Sequence, residues 1–65
     1  MEQIINMRSA VLLHISERFM DTYQGSRLRP LELLERARDS ITRAYDMGAN
    51  VDMQLNRLID LYRTS

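Results

Sequence analysis

The chain contains no cysteine, which excludes disulfides and thiolate metal sites and leaves nothing to suggest an oxidising compartment. Its single histidine, His14, cannot build a zinc site alone. Lysine is absent as well, so all nine basic residues are arginine. Arginine suits bidentate carboxylate pairs and interfaces better than lysine does, and codon usage accounts for the bias at least as well. The two glycines are isolated and cannot form a phosphate-cradling loop. Nine acidic residues cancel the nine arginines, which argues against a bulk electrostatic grip on nucleic acid or on acidic membranes. No run approaches the roughly 18 apolar residues of a membrane span. The opening Met1-Glu2-Gln3 lacks a basic region, and Asn6 and Arg8 interrupt any apolar one, so no secretory signal is expected and the cytoplasm is the default location.

What the chain does have is apolar surface. From Glu2 to Gln24 the residues Ile4, Met7, Val11, Leu12, Ile15, Phe19 and Tyr23 recur at spacings of three and four. At about 100° per residue they cover a stripe roughly 160° wide, broader than a coiled-coil seam. Leu13 and Met20 project to nearly the opposite side. A helix that is apolar on two sides needs cover on two sides, and a chain of 65 residues has little to offer. Domains of this size bury only about 60% of the surface their unfolded chains expose. With disulfides and metal excluded, oligomerisation is the remaining staple.

Sparse punctuation divides the chain. Gly25-Ser26 follows the first periodic segment, where a glycine in the left-handed region would end a helix. Pro30 suits the first turn of a second helix. Gly48-Ala49-Asn50 breaks the pattern again, with Asn50 or Asp52 available as an N-cap. The expected helices are about 2–24, 30–47 and 51–63, within a single helical domain spanning 1–65. The second puts Leu33, Leu34, Ala37, Ile41, Ala44 and Tyr45 on one face. Glu32, Glu35, Arg36, Asp39, Arg43 and Asp46 lie on the other. The third puts Val51, Leu55, Leu58, Ile59 and Tyr62 together. The expected core brings Val11, Ile15 and Phe19 against Leu34, Ile41 and Tyr45 and against Leu55, Leu58 and Tyr62.

Little here carries chemistry. No serine or carboxylate near His14 gives a nucleophile–base–orienter set. Glu2, Glu17, Glu32 and Glu35 show no paired-carboxylate logic. So small a chain also has little room for a concave substrate site. No catalytic residue, cofactor, metal or small-molecule substrate is expected. Arg8 stands apart because it falls within the first stripe, where it must reach solvent, or pair with a carboxylate of a second subunit.

The second and third helices invite comparison with helix-turn-helix DNA readers, since Ala44 and Gly48 have the offset those motifs use. Counting on from Ala44, however, the apolar positions of a recognition helix fall on Gln54 and Arg57. Asp52 and Asp60 also cancel Arg57 and Arg63. The hairpin is similar too to two-helix phosphatases of sporulation response regulators, which carry a Ser-Gln-x-x-Asp signature. Asp52-Met53-Gln54-Leu55-Asn56 lacks all three residues at their positions, and that activity is excluded. In size, helical pattern and lack of cysteine, rather than in any motif, the whole chain resembles the short all-helical early or accessory proteins of temperate lambda-like bacteriophages. That resemblance implies a modulator of host or phage regulation that binds another protein.

The expected fold is all-α: a long first helix and a helical hairpin, completed as a homodimeric bundle. The expected function is that of a small non-enzymatic regulatory or adaptor protein working through helix-mediated contacts with itself and with a host or phage protein. The alternatives are a DNA-binding transcriptional regulator and a helical co-chaperone for a secretion component. Leu13 and Met20 on the far side of the first helix, Arg8, and Arg27 and Arg29 in the linker are the candidate partner-binding residues. That far-side edge serves either as the dimer contact or as a heterologous site.

Overall fold

The computed structural model describes the backbone of residues 2–64 and the side chains of residues 7–64. Three helices follow one another: α1 (Glu2–Gly25), α2 (Leu31–Asp46) and α3 (Asp52–Thr64). Each end lies within one residue of the limit expected from the punctuation, and the described residues contain no strand. The molecule is elongated, 42 × 16 × 14 Å, because α1 runs nearly its whole length. At 1.5 Å per residue, α1 spans about 36 Å and α2 about 24 Å.

The turns explain the topology. After α1, Ser26 N–H donates to Tyr23 O at 3.2 Å. Gly25 closes the helix in ordinary helical conformation, so the expected left-handed glycine is not there. The left-handed residue of this linker is Arg29, with φ of 47°. Pro30 forms the N-cap of α2 with φ of −69° and no side-chain cap. The other end of α2 is a Schellman motif. Ala49 N–H donates to Ala44 O at 3.1 Å and Gly48 N–H to Tyr45 O at 2.9 Å. Gly48 sits at φ 91°, which glycine adopts without steric cost. Asn50 Oδ1 then accepts the Asp52 N–H at 3.0 Å and starts α3.

α2 packs antiparallel along α1, and α3 lies more sparsely across both. The core holds Met20 and Tyr23 of α1, Leu34, Ala37, Ile41 and Ala44 of α2, Val51, and Leu58 and Leu61 of α3. Ser9, Ser16 and Ser40 are buried with them. Small residues on both helices (Ser9, Ser16, Ala37, Ser40, Ala44) give the α1–α2 seam its close fit. Ser16 Oγ donates to Leu13 O at 2.6 Å, so its hydroxyl is satisfied within its own helix and the residue packs as a small one.

The expected core needs correction on α1. Leu34, Ile41 and Leu58 are buried and Phe19 is half-buried, but Val11, Ile15, Tyr45, Leu55 and Tyr62 are exposed. The buried row of α1 is Ser9, Leu13, Ser16, Met20 and Tyr23, spaced alternately four and three. Counting large apolar side chains selected the wrong stripe, because two positions of the right one are serines. Ile4, the first residue of that stripe, has its side chain outside the described residues.

Candidate interaction surface

Tyr23 of the expected stripe is buried and Leu12 and Phe19 are half-buried, but Met7, Val11 and Ile15 stay uncovered. Met7 is 69% exposed, Val11 58% and Ile15 37%. They follow at spacings of four along α1, beside the seam with α2. Where α2 ends, Arg8, Val11, Leu12, Arg43, Asp46 and Met47 line an open hollow of about 490 Å³. Its lining is mainly apolar, with Arg8, Arg43 and Asp46 as its charged members. Such a surface can seat an apolar side chain or a helix.

A second hollow of about 390 Å³ lies along the same seam toward the start of α2. There Phe19 sits beneath Glu32, Glu35, Arg36, Asp39 and Ser40. Two charge pairs run along α2 itself: Arg36 Nη2 to Glu32 Oε2 at 2.9 Å, and Arg43 Nε to Asp39 Oδ2 at 3.2 Å. All four side chains are well exposed, so each pair contributes only a few tenths of a kcal/mol, about 0.3–0.5. Arg8 and Glu35 make no ion pair among the described residues.

The candidate residues fall in three separate places. Arg8 is exposed at one end of the α1–α2 seam. Arg27 and Arg29 are exposed in the linker, roughly 25 Å along α1 from Arg8 at 1.5 Å per residue. Arg29 shares a hollow of about 350 Å³ with Tyr23, Leu28, Leu31 and Thr64. The Tyr23 hydroxyl is buried beside it and has no hydrogen-bond partner among the described residues. Leu13 and Met20 are not on a far side of the helix. Met20 is fully buried and Leu13 packs half-buried against the core. They face α2 and α3, so they form no outer edge for a partner.

The remaining polar contacts hold α3 in place. Gln54 Nε2 donates to Glu17 Oε2 at 2.8 Å. Arg57 Nη2 donates to Asp21 Oδ1 and, at 2.6 Å, to Gln24 Oε1. The third helix keeps an apolar edge of its own, with Leu55, Ile59 and Tyr62 exposed. His14 is exposed on α1. Among the described residues no group of three or more His, Cys, Asp or Glu is placed to hold a metal ion. Among the described residues no helix is long and apolar enough to cross a membrane.

Sequence reasoning missed the inner face of α1. A signal for the true inner face was present in the alternating four–three spacing of Ser9, Leu13, Ser16, Met20 and Tyr23. Comparisons with protein-family models, with curated proteins and with solved structures find no match.

Proposed function

We propose that the chain is a small regulatory or adaptor protein without catalysis of its own, acting as a homodimer through helix-mediated protein–protein contacts in a bacterial cytoplasm. The exposed row Met7, Val11 and Ile15 carries this reading. Single exposed apolar residues are ordinary, but three in a helical row beside an apolar hollow mark a place for another helix. Leu55 and Ile59, exposed on α3, give such a dimer a second surface for a different protein.

The polar contacts of α3 support this reading over a nucleic-acid-binding one. Arg57 is turned onto Asp21 and Gln24 of α1. Asp52 and Asp60 share its helix.

The test is a pair of measurements on the whole chain. Sedimentation equilibrium at tens of micromolar should give about twice the 7.7 kDa chain mass. Titration with random-sequence duplex DNA at low salt should leave that mass unchanged. A monomer, or a salt-dependent shift onto DNA, would replace this proposal with another.

A further inference from the structure

Where the linker meets the end of α3, the packing of the chain leaves one polar group unused. Tyr23 is only 1% exposed, and its hydroxyl is buried with no hydrogen-bond partner among the described residues. A phenol so placed has lost its water and gained no acceptor, a state that folded proteins avoid almost everywhere. Tyr23 forms one wall of the hollow of about 350 Å³ that Leu28, Arg29, Leu31 and Thr64 complete. At roughly 30 Å³ for each water-sized group, such a space takes about a dozen of them.

The other walls define the chemistry of an occupant. Leu28 is 90% exposed and Leu31 51%, so both offer apolar surface that the described residues leave open. Arg29 is the single charged residue of the lining, and it makes no ion pair among the described residues. No carboxylate lines the hollow, and Arg27 adds a second cation two residues away. Thr64 makes no demand on an occupant, since its hydroxyl donates to Leu61 O at 3.3 Å. Arg29 also holds φ of 47°, a left-handed conformation uncommon for a residue with a side chain. Such outliers concentrate where ligands are held.

We infer that this hollow binds a small carboxylate with an apolar tail. One carboxylate oxygen accepts the hydrogen bond of the Tyr23 hydroxyl, and the Arg29 guanidinium pairs with the charge. The tail lies against Leu28 and Leu31. A neutral molecule of the same shape leaves Arg29 without a counter-charge, and a bare inorganic anion leaves the leucines uncovered. Leu28 is held by little packing, so the linker can settle over the occupant. A free acid and the C-terminal residue of a peptide offer this same chemistry. Met7, Val11 and Ile15 lie roughly 12–24 Å along α1 from Tyr23 at 1.5 Å per residue, so the site does not depend on self-association.

The test titrates the full chain with hexanoate, N-acetylleucine, hexanamide and inorganic phosphate, following backbone amide signals by NMR. At least one of the two carboxylates should bind with a dissociation constant of about 1 mM, as fits so few atoms, and shift the amides of residues 23–31 and 61–64. Tighter hexanoate marks a free acid as the ligand, and tighter N-acetylleucine marks a peptide end. Hexanamide and phosphate should bind at least about tenfold more weakly. Arg29→Gln, at an exposed position, and Tyr23→Phe should each weaken the carboxylate about tenfold. Tyr23→Phe should melt no lower than the parent, because the hydroxyl it removes has no partner to lose. Carboxylates that leave these amides unmoved at tens of millimolar, or that bind both variants as tightly as the parent, would overturn the site. Hexanamide binding as tightly as hexanoate would overturn the assignment of its ligand as an anion.

Discussion

Arg57 of α3 reaches across to Asp21 of α1 and binds Gln24 with the same nitrogen. Together with Gln54 and Glu17, this is the polar clamp that holds the shortest helix. Helices of 13 residues are marginal alone, and α3 packs more sparsely than α2 does.

Removing the clamp should therefore loosen one element and spare the others. Arg57→Ala should cost about 1 kcal/mol, because Arg57 is half-buried but its partner Asp21 is well exposed. Amide exchange of residues 52–64 should speed up relative to α1 and α2. Uniform acceleration across all three helices would show that α3 does not open by itself.

The buried face of α1 can be tested by contrast. Met20→Ala should cost about 2–5 kcal/mol, enough to unfold so small a domain. Val11→Ala, melted at high dilution, should stay within a degree or two of the parent. Equal losses from both would mean that the two faces of α1 are assigned wrongly.

The seam between α1 and α2 depends on small residues, and Ser16 is its most buried serine. Ser16→Ala should be nearly neutral, since the hydroxyl only back-bonds to Leu13 O within its own helix. Ser16→Leu should destabilise by about 1–3 kcal/mol through overpacking. Thermal melts of the two variants decide the point: a tolerated leucine would contradict a close seam.

Gly48 gives the sharpest backbone test. A Cβ there meets nothing within 4 Å, so any cost comes from the positive φ. Gly48→Ala should lose about 1–2 kcal/mol by urea titration. No loss would mean that the Schellman turn can re-form in another conformation.

Much of the fold was legible because its punctuation is local. Gly48, Asn50 and Pro30 mark helix ends through their own backbone chemistry, and α2 has one polar and one apolar face. The orientation of α1 was not legible, because it depends on where α2 and α3 lie. Val11 and Ile15 look like core residues by size, whereas Ser9 and Ser16 do not. Ser16 is buried nonetheless, since its hydroxyl needs no partner outside its helix. The two-sided character of α1 survives with the sides exchanged: Leu13 and Met20 turn inward, and Met7, Val11 and Ile15 remain outside.

The central claim is that the uncovered row of α1 is where the chain meets its own copy. Sedimentation equilibrium of the parent and of Val11→Asp, side by side at tens of micromolar, tests it most directly. The parent should have about twice the 7.7 kDa chain mass. The variant should have the single-chain mass while keeping the parent's helical circular dichroism. A parent of single-chain mass, or a Val11→Asp variant that remains fully dimeric, would contradict it.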